Sequence, residues 1–443
     1  MRVLKTTVDQ EEIRRLLTRR PFPAEAEAEI RRKVEEILSR VRREGDKALV
    51  DYTKAFDGVD LTAAGIKVKE EELAAAQARV TPEFLTALRA AKENILRYHR
   101  QQVSRSWMLY EEGGILLGQR YLPLASVGLY VPGGAGGKTP LVSSVLMNAL
   151  PAVVAGVPRI IMCTPPTQDG TVEPHLLAAA LEAGVTEVYK LGGAQAIAAM
   201  AFGTETVPKV DKIVGPGNNY VIMAKRLVYG EVGLDSLAGP SEIIVIADET
   251  ACPQLVAADL LSQAEHGPVD EASAILLTPC ASLAEETARE LERQLATLPR
   301  KEIARACLEK NGGLVLTKDL EEAVELSNLA APEHLELMVA DPYYWLTKVR
   351  HAGAVFLGSS TPEPVGDYVA GSNHVLPTGG TARFASALSV DDFVKKTSIV
   401  AYSSEGLAKF GPAAMTLARV EGLEAHARAV AIRLEDKERR EEN

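Results

Sequence analysis

Residues 126–150 read SVGLYVPGGAGGKTPLVSSVLMNAL. A short apolar run closes at Val131, a loop dense in glycine and proline follows, and an apolar stretch of helical character begins after Pro140. Strand, glycine-rich turn and helix is the opening of a βαβ unit. The same texture recurs downstream, with candidate strands at 126–131, 159–163, 187–191, 212–214, 243–247, 274–277, 313–316 and 354–357. Strands that alternate with helical stretches of about ten to fifteen residues predict mainly parallel sheets covered by helices. The set is too large for one ordinary sheet, so it divides into two α/β domains. The junction falls at 237–241, where Gly239-Pro240 interrupts the series.

Working outward, Ile30, Val34, Ile37, Leu38 and Val41 recur at helical spacing with charge on the opposite face, which predicts an amphipathic helix. A second helix starts where Thr81 can cap a turn containing Pro82 and Glu83, and it runs toward His99. Helical pattern returns from Ser386, and the closing LEDKERREEN reads as a solvated tail. At 443 residues, with 47% hydrophobic and 25% charged, the chain has globular composition. Its net charge is -11 and its basic residues occur only in short pairs such as Arg14-Arg15 and Lys395-Lys396, which argues against a nucleic-acid surface. The apolar stretch at 149–157 contains Pro151 and Gly156 and is far shorter than the roughly 20 residues of a bilayer span. The start, MRVLKTTVDQEEIRR, lacks the apolar core of a secretory signal, so a cytoplasmic location is expected. Cys163, Cys252, Cys280 and Cys307 lie far apart, which predicts neither a disulfide framework nor a thiolate zinc site.

Two glycine loops bear on nucleotide binding. PGGAGGKT departs from the phosphate-loop pattern only at Pro132, and Asp248 after IIVIA could serve as its magnesium acid, so an ATPase is one reading. Proline's fixed φ, where that loop wants glycine, weighs against it. VGPGNNYV places Gly215 and Gly217 as in a dinucleotide fingerprint but puts Tyr220 at the third glycine, a pattern that a simple strand-to-helix turn also produces.

The seven histidines are informative by context. Gln263 and His266 are spaced i, i+3 at a helix end closed by Gly267-Pro268, which suits two ligands of one metal or a helix-terminal cap. Asp367 and His374 sit in VGDYVAGSNHVLPTGG, a loop of the kind that carries function. Glu333 and His334 in APEHLEL join a carboxylate to an imidazole at the start of an apparent strand, a pair fitted to proton transfer. His99, His175 and His351 lack such context and read as structural or exposed.

Taken in order, VGLYVPGG, LGGAQAIAA, VGPGNNYV, AGPSE, LLSQAEHGP, APEHLEL, VGDYVAGSNHVLPT and EGLEAHARAV resemble the histidinol dehydrogenase family. The resemblance implies two Rossmann-like α/β domains with N-terminal helices and a helical C-terminal segment. It divides the chain into an N-terminal segment (1–24), a discontinuous zinc and substrate domain (25–125 and 238–385), an NAD-binding domain (126–237) and a segment reaching the partner subunit (386–443). Zinc would be held by Gln263, His266, Asp367 and His426, the last supplied across a homodimer. Ser241, His334, His374 and Glu421 would contact L-histidinol together with the zinc ligands, and Tyr130, Gln195 and Asn218 would contact NAD. The implied reaction is the four-electron oxidation of L-histidinol to L-histidine that completes histidine biosynthesis, with His334 removing the alcohol proton and Glu333 activating water. Relatives on this scaffold that oxidise other hydroxylated substrates are the alternative.

Overall fold

Apolar runs that alternate with helices form two parallel sheets here because each sheet is buried on both faces. The computed structural model describes residues 1–18, 24–133, 139–185, 187–237, 239, 241–266 and 272–441. The first parallel sheet contains β4 (Ser126–Tyr130), β5 (Arg159–Thr164), β6 (Glu187–Lys190), β7 (Lys212–Val214) and β8 (Gly233–Leu234), in the order β6-β5-β4-β7-β8. Its side chains alternate between two cores. Val127, Leu129, Ile160 and Met162 pack with the helices Val142–Ala155 and Pro82–His99. Tyr130, Ile161, Cys163 and Ile213 pack on the other side with Val34, Val41 and Leu49.

The second parallel sheet has six strands in the order β1-β11-β10-β9-β12-β13. These are β1 (Val3–Lys5), β9 (Glu242–Ala247), β10 (Ser273–Thr278), β11 (Gly312–Leu316), β12 (His334–Met338) and β13 (Ala354–Leu357). One face carries Ile243, Val245, Leu276 and Met338 against the helix Pro253–Ala264, and the other carries Ile244, Ile246, Leu335 and Leu337. All eight candidate strands are present, with ends that shift by a residue at most.

Three features depart from the sequence reading. The opening residues are not a separate segment, since β1 pairs with β11 at the edge of the six-stranded sheet. The helices of 24–99 pack in the cores of the five-stranded sheet, not with the six-stranded sheet to which the resemblance assigned them. Finally, β2 (Trp107–Glu111), β3 (Ile115–Pro123) and β14 (Val394–Tyr402) form an antiparallel sheet in the order β14-β3-β2, outside the series of βαβ units. This sheet and the helices Ser404–Val420 and Glu424–Glu441, which pack on each other, belong to a compact unit of their own, spanning 103–123 and 394–443. The segment read as helical from Ser386 therefore contains a nine-residue strand first.

The predicted cap at Thr81 is observed, its hydroxyl accepting from the Phe84 amide at 3.2 Å with Pro82 in the first turn. Cys163, Cys252, Cys280 and Cys307 are free thiols. Among the described residues no helix is long and apolar enough to cross a membrane. Residues 134–138 of the glycine loop and the expected helix stop at Gly267-Pro268 lie outside the described residues.

Candidate active site

The turn into β12 delivers the carboxylate and imidazole together. The helix Leu320–Ala330 is closed by Ala331, whose φ of 52° is left-handed, and Pro332 then leads into Glu333. Ala331 is the sole non-glycine residue with positive φ among those described, a form of local strain that needs support from its surroundings. Both side chains are buried. The Glu333 Oε2 atom accepts from the Glu242 amide at 2.9 Å, and Ser241 also hydrogen-bonds this carboxylate. His334 Nδ1 lies 3.0 Å from the Glu242 carbonyl oxygen. A carbonyl can only accept, so Nδ1 carries a hydrogen and Nε2 is the atom left facing the site. That Nε2 has no hydrogen-bond partner among the described residues, and it stands 3.7 Å from Asp367 Oδ1 and 4.0 Å from Glu363 Oε1.

The other side chains come from elements stacked over the same face of the sheet. His334 and Glu336 share that face, two residues apart on β12. The covering helix Pro253–Ala264 contributes Asp259, Ser262 and Gln263, and His266 follows its last turn with its amide bonded to the Gln263 carbonyl at 3.1 Å. A short helix, Glu363–Val365, continues through a wider turn at Gly366–Ala370, which sets Glu363 and Asp367 four residues apart on one side. Ser262 donates to Glu363 Oε2 at 2.9 Å. His334, Glu363 and Asp367 offer ligand atoms within 4.8 Å of one another, the arrangement of a candidate cation site. His374 hydrogen-bonds the Asp367 main chain. The loop that carries both is fixed from outside, since Asn94 donates to the Val369 carbonyl at 2.8 Å and Asn373 to the Met147 carbonyl at 2.7 Å.

Charge in this pocket is strongly perturbed. Burial by itself lowers the pKa of His334, but Glu333, Asp367 and Glu363 outweigh it and raise the imidazole to about 10. Burial pushes Glu333 up. Glu363 is raised by burial to about 7, with His334 opposing. Burial would raise Asp367, yet His334 and His374 hold it below its usual range. Burial lowers His266, with Asp367 opposing. Gln263 supplies the test for a metal. It is fully buried, and neither its Oε1 nor its Nε2 finds a partner among the described residues, although such an amide normally satisfies both. An orphaned amide, an unpartnered imidazole nitrogen and two carboxylates are N/O donors of the kind that suit a divalent cation such as zinc.

The residues that the resemblance assigns to NAD gather at the first sheet. Its strand order reverses between β4 and β7, and ligands of open α/β sheets bind outside the carboxyl ends of the strands at such a point. Tyr130 ends β4, and its hydroxyl accepts from the Gly193 amide at 3.0 Å. Gln195 is buried in the helix Gly193–Phe202 with Oε1 unpartnered among the described residues. Asn218 caps the helix Asn219–Val228, accepting from the amides of Tyr220 (3.0 Å) and Val221 (3.1 Å). Its side-chain oxygen therefore serves the turn. Gly215 is required as glycine, because a Cβ there would lie 2.1 Å from the Tyr130 carbonyl oxygen at a φ of +115°.

The structure thus brings Ser241, Gln263, His266, Glu333, His334, Asp367 and His374 together at the amino-terminal edge of the six-stranded sheet. Glu421 and His426 belong to the other compact unit, where both are exposed, Glu421 capping the helix Ser404–Val420 and His426 in the first turn of Glu424–Glu441. The ATPase reading fails on topology. Asp248 directly follows β9 of the six-stranded sheet, whereas the glycine loop follows β4 in the other sheet. The Asp248 carboxylate is instead occupied by the amides of Thr250 and Ala340. The sequence reading missed Glu363, Ser262, Glu336 and Asp259. Only the i, i+4 spacing of Glu363 and Asp367 could have pointed to the first of these.

The comparisons agree over nearly the whole chain. The family model described as histidinol dehydrogenase matches residues 21–434. A histidinol dehydrogenase of Geobacillus kaustophilus is 56% identical over 407 residues, covering 92% of this chain and 94% of the relative. One from Moorella thermoacetica is 53% identical over 428 residues, covering 97% and 99%. The crystal structure of histidinol dehydrogenase from Elizabethkingia anophelis superposes with a TM-score of 0.92 at 40% identity, covering 99% of both chains. On these matches, and with Glu333, His334 and Asp367 gathered at one edge of a parallel sheet, the chain belongs to the histidinol dehydrogenase family.

Proposed function

We propose that the protein oxidises L-histidinol to L-histidine through histidinaldehyde, reducing two NAD, and that Gln263, His266, Asp367 and the partner subunit's His426 hold zinc. The reading is carried by the fully buried Gln263 amide, which has no partner among the described residues, taken with the likewise unpartnered His334 Nε2 atom 3.7 Å from Asp367 Oδ1. Bound zinc would supply positive charge to orient the substrate's amine and imidazole, and NAD would accept hydride. The remaining work falls to side chains. With its Nδ1 hydrogen committed to the Glu242 carbonyl, His334 accepts the alcohol proton at Nε2 once the carboxylate charge around it is offset in the loaded site. Glu333, oriented by Ser241 and the Glu242 amide and raised by burial, is suited to deprotonate the water that adds to the aldehyde. Ser241, His374 and Glu421 would contact histidinol, and Tyr130, Gln195 and Asn218 the nucleotide.

In the test, histidinol and NAD are added to zinc-loaded protein, and two NADH should form per histidinol. Glu333→Gln should slow histidinaldehyde oxidation by about 10²–10⁴-fold and leave the first hydride transfer far less affected, whereas His334→Asn should slow both. Equal losses in both half-reactions for both variants would overturn the assignment of roles. Absence of any NADH in the unmodified protein would overturn the activity.

A further inference from the structure

Outside the proton-transfer residues, one buried ion pair lies at the carboxyl edge of the five-stranded sheet. Lys225 is on the inward face of the helix Asn219–Val228, and Asp235 follows β8. Their side chains are 2% and 3% exposed. Lys225 Nζ donates to Asp235 Oδ1 and to the Gly215 carbonyl oxygen, the latter at 3.0 Å. Asp235 Oδ2 in turn accepts from the Gly215 amide at 2.8 Å. Both polar main-chain groups of Gly215 are thereby held by one ion pair. Gly215 opens the turn between β7 and the helix Asn219–Val228, at the point where the strand order reverses.

Stability alone is a poor account of this arrangement. Taking two charges out of water costs several kcal/mol per ion, and apolar residues of similar volume often serve a core as well or better. What apolar residues could not do is fix the amide and the carbonyl of a glycine with positive φ. We propose that Lys225 and Asp235 are positioning residues that preset the Gly215–Asn218 turn for the nucleotide, an inference that rests on the NAD site assigned above. Neither touches the reacting atoms. Their effect is preorganisation, since a turn already in its bound shape spares the ligand the cost of ordering it. Asp235 also begins the stretch that runs to Ser241, so the residue that braces the cofactor turn stands six positions before one that orients Glu333.

The test uses zinc-loaded protein and three variants, Lys225→Met, Asp235→Asn and the double variant Lys225→Met/Asp235→Asn, which leaves no buried charge unpaired. NADH binding and the KM values for NAD and histidinol are measured on each, with zinc content and circular dichroism as checks on folding. The expected result in the folded variants is a rise of about tenfold or more in KM for NAD and in Kd for NADH. KM for histidinol and zinc content should stay near those of the unmodified protein. Values for NAD and NADH within twofold of the unmodified protein would overturn the proposal, as would parallel losses for NAD, histidinol and zinc. If all three variants fail to fold, hydrogen exchange on the unmodified protein decides. Protection of the Gly215, Gly217 and Asn218 amides without nucleotide supports a preset turn, and protection that arises only with NADH overturns it. An unmodified protein that binds no NADH overturns the NAD site itself, and this inference with it.

Discussion

His334 shows how neighbouring charge can override burial. Desolvation favours the neutral ring, yet three carboxylates around it raise its pKa to about 10 in the metal-free chain, against an ordinary value near 6.5. Glu363 is raised by burial to about 7. Both groups bind protons more tightly folded than unfolded. The stability they contribute is complete below their unfolded values and is lost as pH rises, through about 7 for Glu363 and about 10 for His334. Asp367, held below its usual range, has the opposite sign and loses its contribution only on acidification. Chelator-stripped protein should therefore become less stable between roughly pH 6.5 and 10, by an amount on the order of a few kcal/mol. His334→Asn should flatten that slope. Urea unfolding across this range checks it, and a metal-free protein whose stability rises with pH would contradict the charge arrangement described here.

Among the elements, β12 and the helix beginning at Glu363 set the geometry of the pocket. Glu336 Oε1 accepts from the Glu363 amide at 2.9 Å, anchoring the first turn of the segment that carries Asp367. Asp259 neighbours Glu336, and burial raises both carboxyls. Glu336→Gln keeps an acceptor for the Glu363 amide, and zinc retention should stay close to that of the unmodified protein. Glu336→Ala leaves the amide unpaired and the turn free to shift, and should weaken zinc binding by about 10–100-fold in chelator competition. Equal retention by both variants would show that the anchor does not matter. This same strand marks the limit of what the sequence discloses. The eight candidate strands were legible because burial on both faces makes near-continuous apolar runs, whereas HLELM alternates and reads as a half-exposed strand. Glu336 consequently looks like a solvent-facing acid although both of its faces are covered. The antiparallel sheet was missed for the converse reason, since β2 is exposed throughout and β14 carries Lys395 and Lys396. Of the site, the histidines and Asp367 stood out in their loops. Ser262 and Asp259 did not, because a helix interior gives no sign of which polar residue meets a distant turn.

At the scale of the molecule, the zinc ligands proposed here are divided between the two compact units. Gln263, His266 and Asp367 belong to the unit that holds both parallel sheets, and His426 to the unit built on β2, β3 and β14. That second unit leaves large apolar side chains uncovered, with Tyr110 75%, Val400 67%, Leu417 64% and Val420 82% exposed. Exposed apolar groups of this size are what an association surface would present. A closed two-fold pair would cover such a surface on both chains at once and complete two equivalent sites by exchanging the same element. Zinc affinity would then depend on protein concentration as well as on folding. Complementation separates this arrangement from one in which His426 serves its own chain. His426→Ala and Asp367→Ala proteins, each inactive alone, are mixed under conditions that let subunits exchange. If the ligand crosses, a mixed dimer has one site with both mutations and one with neither, and activity should return toward about one quarter of the unmodified level on random pairing, in which half the dimers are mixed and each has one intact site. A mixture that stays inactive, with exchange confirmed by tagged subunits, would place His426 in the site of its own chain.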